Sequence, residues 1–160
     1  AIWATQPAVV VVLRRPGCIM CRSQAALLWE KKSEFDQLGV KLACVVNQAL
    51  PAEVEAFAKD FWPGEIYLDE SKGFYAAVGE GKIRKGSLWA LLNPFGKVWK
   101  NAFKSKKVVG KNHNTVGDGT ILGGLVVVTT KGTSVPFAFQ EKAFGDAADV
   151  QDVLGAAAKL

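Results

Sequence analysis

The chain has 160 residues, of which 49% are hydrophobic and 22% charged, a balance typical of an ordinary globular protein. No apolar run approaches the roughly 20 residues that a membrane-spanning helix needs, and three cysteines are too few for a secreted disulfide scaffold. We therefore expect an intracellular protein with one domain spanning 1–160. No signal-peptide pattern is visible, and the first residue is alanine. The expected compartment is the cytoplasm, or a chloroplast or mitochondrial matrix if a targeting peptide was removed.

The net charge of +5 is concentrated in one segment of the chain. Residues 81–117 contain nine Lys or Arg and no Asp or Glu, so the rest of the chain carries a net negative charge. The basic character therefore belongs to this segment, and not to the domain as a whole.

The first predicted elements are a strand and a long helix. The run 8–13 is almost continuously apolar and β-branched, as expected of a central strand buried on both faces. Pro16 and Gly17 end it. Apolar residues then recur at helical spacing from Cys21 to Leu38, and Gly39 is a plausible stop for that helix.

Two further strand–helix units follow. The run 40–47 predicts a second buried strand, and Pro51 suits the first position of the next helix. A short strand is predicted over 65–68. Asp69, Glu70 and Ser71 are candidates to cap the helix after it. The order βαβαβα implies a parallel sheet with helices on its faces.

Residues 80–119 interrupt this order and are predicted to form an insertion with one or two short amphipathic helices. A strand over 122–130 follows. Lys131-Gly132 predicts a hairpin turn, and 135–140 predicts an antiparallel edge strand. Asp146 is predicted to cap a final helix.

A Cys-x-x-Cys pair, Cys18 and Cys21, lies between the first strand and the first helix. This is the layout of a thiol–disulfide site, because a helix N-terminus and nearby cations favour the thiolate. We predict Cys18 as the nucleophile, Cys21 as the resolving thiol, and electrostatic support from Arg15 and Arg22. Two ordinary buried cysteines in an inert protein, or half of a zinc site, are the alternatives left open.

Four separated blocks carry a resemblance to the peroxiredoxin-like 2 family: PGCIMCR (16–22), GEIYLDESKGFY (64–75), GDGTILGGLVVV (117–128) and EKAFGD (141–146). The family includes prostamide/prostaglandin F synthase. The similarity covers roughly residues 8–158, and the order of elements likewise resembles a thioredoxin-like fold. It implies an α/β domain with a central mixed sheet and helices on both faces. The implied activity is that of a monomeric thiol oxidoreductase reducing peroxides, endoperoxides or protein disulfides.

Two positions depart from related patterns. Peroxiredoxins carry Thr three residues before the reactive cysteine, where this chain has Arg15. Thioredoxins carry a cis-proline just before the strand facing the cysteines, where this chain has Gly123-Gly124. A specialised relative is therefore predicted, with a different substrate-docking ledge.

The basic insertion predicts a docking surface made of Trp99, Phe103, Lys104, Lys106 and Lys107. An acidic protein or an anionic membrane surface is the expected partner. Nucleic acid is not favoured, because stacking and groove-reading motifs are absent. The open alternative is that the aromatic residues fold back onto the domain while the lysines face water.

Two function classes follow from these features. The first is a thiol-dependent oxidoreductase with no tightly bound cofactor, receiving electrons from a thiol reductant or reductase, or from NADPH through a reductase or thioredoxin system. The second is a thioredoxin-fold accessory or structural subunit, docked in a larger assembly through residues 80–119. Cys44 is predicted as a core residue and His113 as an exposed loop residue.

Overall fold

The computed structural model describes residues 1–160 and contains one five-stranded sheet. The strands are β1 (Ala8–Val12), β2 (Lys41–Val46), β3 (Glu65–Leu68), β4 (Gly124–Val128) and β5 (Phe137–Gln140). Their spatial order is β3-β2-β1-β4-β5. The β1–β2 and β2–β3 pairs are parallel, whereas β1–β4 and β4–β5 are antiparallel. The predicted mixed sheet is confirmed.

The central strand β1 is buried along its whole length because both faces of the sheet are covered. Val9 and Val11 belong to the larger core, beneath the first helix and the C-terminal helix. Val10 and Val12 point to the opposite core, where Tyr75 packs. The run of valines is unbroken because successive side chains of β1 point alternately into two apolar cores.

The helix predicted from Cys21 to Leu38 is two helices in the structure: α1 (Ile19–Trp29) and α2 (Lys32–Gln37). The Lys31 N–H bonds three residues back, to Leu28, so the last turn of α1 tightens before α2 begins. The second helix turns Phe35 into the core. Gly39, with a φ of +69°, ends it as expected.

Two more helices, α3 (Pro51–Asp60) and α4 (Gly73–Val78), cover opposite faces of the sheet. Pro51 occupies the first turn of α3, as predicted. The Asp69 carboxylate accepts hydrogen bonds from the backbone N–H of Gly73 and Phe74, and from Ser71. The predicted cap of α4 is therefore confirmed for Asp69.

The insertion forms a 3₁₀ helix (Leu88–Leu92) and a longer helix, α5 (Lys97–Val109), between α4 and β4. Its base is held by backbone hydrogen bonds from Gly86 N–H to Thr120 and from Leu122 N–H to Arg84. Helix α5 packs against α1 and buries Val98 and Val109. The insertion is therefore packed onto the domain beside the Cys-x-x-Cys helix.

The C-terminal part contains the predicted hairpin, in which Lys131 and Gly132 both have positive φ. It ends with α6 (Val150–Ala157). The prediction that Asp146 caps this helix is wrong. Asp149 is the cap and accepts from the Gln151 N–H, whereas Asp146 binds the backbone of the 142–143 turn and pairs with Lys97. No helix in the structure combines the length and apolar character needed to span a bilayer.

Candidate active site

The two cysteines lie at the start of α1, in the turn that follows β1. Cys18 is the N-cap residue, and its carbonyl accepts from the Arg22 N–H at 2.9 Å. Cys21 lies inside the first turn. Both thiols are free, and the two residues are only 3% and 6% exposed. A strand end followed by a helix N-terminus thus brings the pair together near the positive end of the helix dipole.

A buried arginine contacts the Cys18 sulfur. Arg14 Nη2 donates a hydrogen bond to Cys18 Sγ at 3.1 Å, and its guanidinium lies 5.0 Å from the centre of the Phe144 ring. Arg14 Nε lies 3.1 Å from Glu141 Oε1. The cation is thereby held between a sulfur, a carboxylate and an aromatic face.

The carboxylate of Glu141 is itself fixed by the backbone. Its Oε2 accepts from the Gly123 N–H at 2.9 Å, and its Oε1 accepts from the Gly145 N–H at 3.0 Å. A Cβ on Gly123 would lie 1.9 Å from the carbonyl oxygen of Val12, so only glycine fits there. This chain therefore has a glycine at the position where thioredoxins carry a cis-proline, and the N–H of that glycine donates to the Glu141 carboxylate.

The surroundings make the two thiols chemically unequal. A hydrogen bond from Cys21, together with the Arg14 cation, lowers the pKa of Cys18 well below its usual range, although burial opposes the shift. The same hydrogen bond and the burial of Cys21 raise the pKa of that thiol well above its usual range. These opposite directions favour a thiolate on Cys18 and a protonated thiol on Cys21.

The two predicted supporting arginines do not contact the sulfur. Arg15 Nη1 donates to the carbonyls of Thr115 and Gly117, which anchors the loop before β4. Arg22 is fully buried, donates to the Pro16 carbonyl and to Asn112, and lies 3.6 Å from Glu53. Their electrostatic role stays a prediction, since the cation on Cys18 belongs to Arg14.

An apolar cleft of about 560 Å³ lies over Cys18. Residues of α1, of the 3₁₀ helix and of α5 form its walls, including Ile19, Leu88, Leu91, Val98 and Trp99. Cys21 does not line this cleft. It lines a separate cavity of about 10 Å³, together with Glu141. Only one of the two cysteines therefore faces the space that a substrate would enter.

The predicted docking residues lie on α5. Trp99 Nε1 donates to the Leu91 carbonyl at 3.0 Å, and the Trp99 ring lies 6.5 Å from the ring of Phe103. Phe103 is exposed, as are Lys104, Lys106 and Lys107, which make no ion pair. The aromatic residues thus do not fold completely back onto the domain. Binding of a partner at this surface stays a prediction.

Two other reactive residues lie as predicted. Cys44 is fully buried in β2, where burial raises the pKa of its thiol. His113 is exposed in the loop after α5 and lines the cleft. No group of three or more His, Cys, Asp or Glu side chains is placed to hold a metal ion.

Sequence reasoning did not single out Arg14 and Glu141. Arg14 immediately precedes Arg15, and the sequence does not reveal which of the two points inward. Glu141 lies 120 residues from Cys21, although it begins the block EKAFGD that contributes to the family resemblance. The available signal was a carboxylate placed directly after the predicted edge strand 135–140.

The family model described as AhpC/TSA antioxidant enzyme matches residues 27–143. This range begins after both cysteines. Peroxiredoxin-like 2A from Rattus norvegicus is 40% identical over 159 residues, covering 99% of this chain and 66% of the relative. The protein of the same name from Homo sapiens is 39% identical over 156 residues, covering 98% of this chain and 65% of the relative. The chain thus spans about two thirds of the length of these relatives.

Solved structures share the fold at low sequence identity. A mutant of peroxiredoxin Q from Xanthomonas campestris superposes with a TM-score of 0.63 at 14% identity, covering 96% of this chain and 78% of that one. A secreted disulfide oxidoreductase from Mycobacterium tuberculosis superposes with a TM-score of 0.54 at 13% identity, covering 99% of this chain and 84% of that one. The thioredoxin-like fold is therefore confirmed.

A thioredoxin-like fold with a thiol pair at the N-terminus of its first helix defines the class of thiol-dependent oxidoreductases. Within that class, the chain belongs to the peroxiredoxin-like 2 family, a branch of the AhpC/TSA antioxidant proteins. The resemblance seen in the four sequence blocks is thus confirmed over nearly the full chain.

Proposed function

We propose that the protein reduces peroxides with an apolar body, using Cys18 as the nucleophile and Cys21 as the resolving thiol. The observation that supports this proposal best is the hydrogen bond from Arg14 to Cys18 Sγ at the cleft lined by apolar residues. The charge on Arg14 favours the thiolate, and the cleft gives an apolar peroxide access to that thiolate.

The reaction proceeds in two steps. With a hydroperoxide, the Cys18 thiolate attacks the terminal oxygen, so an S–O bond forms, the O–O bond breaks, and the second oxygen leaves as an alkoxide that takes a proton from water. Cys18 is now a sulfenic acid. The Cys21 thiol attacks its sulfur, and the hydroxyl leaves as water with the Cys21 proton. With an endoperoxide, the attacked oxygen keeps its carbon, so Cys18 carries a sulfenate ester, and attack by Cys21 releases that oxygen as an alcohol. The product is a Cys18–Cys21 disulfide.

The disulfide returns to two thiols at the expense of a dithiol reductant. A dithiol of the thioredoxin class supplies two electrons and two protons through a mixed disulfide. The family resemblance implies NADPH as the ultimate electron donor. A partner reductase would carry its electrons to the disulfide, since Gly79-x-Gly81 followed by Lys82 matches no nucleotide-binding spacing. This chemistry suits a reducing compartment such as the cytoplasm or an organelle matrix.

The substrate class follows from the cleft. Its apolar walls favour organic hydroperoxides or endoperoxides over hydrogen peroxide, since the gain from burying apolar surface depends on the substrate's organic group. Protein disulfides are less favoured, because Cys18 lies at a cleft and is only 3% exposed.

The decisive experiment counts thiols by mass spectrometry after treatment with cumene hydroperoxide and then with dithiothreitol. Wild type should lose two thiols and regain both. Cys21→Ser should stop at a sulfenic acid on Cys18, and Cys18→Ser should lose none. If wild type retains all three thiols, the proposal is wrong. The accessory-subunit alternative, which needs no redox chemistry, would then be preferred.

A further inference from the structure

The insertion presents a ridge of exposed apolar side chains. This aromatic ridge consists of Leu88, Trp89, Leu92, Phe95, Trp99 and Phe103. Trp89 is 81% exposed and Phe95 is 86% exposed. The hydrogen bond from Trp99 to Leu91 and the packing of Trp99 against Phe103 join the 3₁₀ helix and α5 into one surface. A contiguous apolar surface of this kind marks an interaction site in most proteins.

The ridge is flanked by positive charge. In helix α5 the buried positions Val98, Ser105 and Val109 form one face, and Trp99 and Phe103 lie beside it. Lys100, Lys104 and Lys107 lie beyond them on the outer side. No carboxylate occurs within 81–117, and Lys97, bound to Asp146, is the one cation of this segment in an ion pair. Eight of the nine cations of the segment therefore have no ion pair, and four of these lie on α5 together with Trp99 and Phe103.

We propose that the aromatic ridge docks on an anionic lipid bilayer. Tryptophan and phenylalanine side chains beside lysines suit the boundary between lipid headgroups and hydrocarbon. Unpaired lysines are attracted by anionic headgroups within a Debye length of the surface. A bilayer is favoured over an acidic protein because Trp89 and Phe95 are the most exposed side chains of the ridge, and a lipid interface buries such projecting side chains without a shaped groove.

The docking places the Cys18 cleft beside the membrane, because Leu88 and Trp99 belong both to the aromatic ridge and to the cleft wall. A lipid-derived peroxide would then reach Cys18 directly from the bilayer. The delivery of a peroxide to Cys18 rests on the proposed function, whereas the docking of the ridge on a bilayer is independent of it.

The test is co-sedimentation of the full chain with vesicles of phosphatidylcholine alone, or with 30% phosphatidylserine as a chosen composition. We expect binding to the anionic vesicles, with a blue shift of tryptophan fluorescence, and a loss of binding at high salt. Lys104→Glu, Lys106→Glu and Lys107→Glu together should weaken binding at least about tenfold, since each lysine near the surface contributes roughly a fivefold factor.

The matched control is Lys59→Glu, Lys131→Glu and Lys159→Glu, three exposed lysines away from the ridge. Both triple variants have the same net charge, so only the position of the change differs. A second pair of variants separates apolar contact from charge. Trp89→Ser with Phe95→Ser should weaken binding, whereas Leu68→Ser with Val135→Ser, also exposed apolar residues, should not.

Cys18→Ser should bind vesicles as wild type does, so a failure of the redox chemistry leaves this test intact. The proposal is overturned if wild type does not bind anionic vesicles, or if both triple variants lose binding equally. It is also overturned if the ridge instead mediates self-association, or binds polyglutamate but not vesicles. Thermal unfolding of each variant checks that the fold is retained.

Discussion

Arg14 is only 4% exposed and donates a hydrogen bond to the Cys18 sulfur, and its charge lowers the pKa of Cys18 together with the hydrogen bond from Cys21. A cation so far from water is stable only when paired and hydrogen-bonded, and here Cys18 and Glu141 provide the partners. Glu141 is in turn held by the N–H groups of Gly123 and Gly145. The sulfur, the cation and the carboxylate therefore form one unit that is anchored to the backbone.

Replacing Arg14 should raise the pKa of Cys18. In Arg14→Met the cation is lost while much of the side-chain volume stays, so the midpoint for alkylation by iodoacetamide should move to higher pH. In wild type that midpoint should lie below the roughly 8.5 of free cysteine. Arg15→Met is the control, because Arg15 donates to two carbonyls and not to the sulfur. An equal upward shift in both variants would contradict the role of Arg14.

Removing the carboxylate should destabilise the protein. Glu141→Ala leaves the Arg14 cation buried without its carboxylate, which costs about 3–5 kcal/mol of unfolding free energy. The measurement is urea unfolding of the reduced protein. Glu34→Ala, which removes an exposed pair with Lys31, should cost no more than about 0.5 kcal/mol. Similar losses in the two variants would show that the Arg14–Glu141 pair contributes little.

At the scale of elements, the approach of β4 to β1 decides where Glu141 can lie. Strand β4 runs antiparallel to β1, with Gly124 opposite Val12, and Gly123 lies against the Val12 carbonyl just before the pair begins. This contact lets the Gly123 N–H reach Glu141 after β5. The Arg14–Glu141 arrangement beside Cys18 therefore depends on a backbone approach between strands that are more than 100 residues apart in sequence.

Gly123→Ala should lower the free energy of unfolding by an amount at the upper end of the roughly 1–3 kcal/mol typical of overpacking. The new Cβ would clash with the backbone of Val12, which cannot move aside as a flexible side chain could. Gly155→Ala is the opposite case. Gly155 lies inside α6 with open space around its Cβ position, so this change should add about 0.5–1 kcal/mol. Urea unfolding compares the two. A neutral Gly123→Ala would disprove the steric argument.

For the molecule as a whole, the unequal thiols make stability depend on pH. The pKa of Cys18 is lower in the folded state than in the unfolded state. Between those two values the unfolded chain holds a proton that the folded protein lacks, so stability rises with pH across that window. Below the lowered pKa of Cys18 this contribution is lost. The raised pKa of Cys21 has no effect there, because that thiol is protonated in both states.

Urea unfolding of the reduced protein against pH tests this dependence, with Cys18→Ser as the reference. The difference in unfolding free energy between wild type and Cys18→Ser should grow by about 1.4 kcal/mol per pH unit within the window, and should stop growing near pH 8.5, where the raised pKa of Cys21 begins to act in the opposite direction. A difference that stays constant from pH 5 to 9 would mean that Cys18 is not a stabilised thiolate in the folded protein.

The sequence by itself determined the order of the elements, the mixed sheet, the insertion and the position of the Cys-x-x-Cys pair. These features follow from local signals: the valine run of β1, the Pro16-Gly17 break, and apolar spacing along the helices. The break between α1 and α2 and the Asp149 cap were missed, because neighbouring residues offer equally good local alternatives.

Only the tertiary structure decided which cation contacts Cys18 and which carboxylate holds that cation. Arg14 and Arg15 are neighbours, and their directions depend on packing against Phe144 and the 115–117 loop. Glu141 reaches Arg14 because β4 and β5 are added to the sheet beside β1. Contacts between distant parts of a chain depend on the packing of whole elements, and no local residue pattern encodes them.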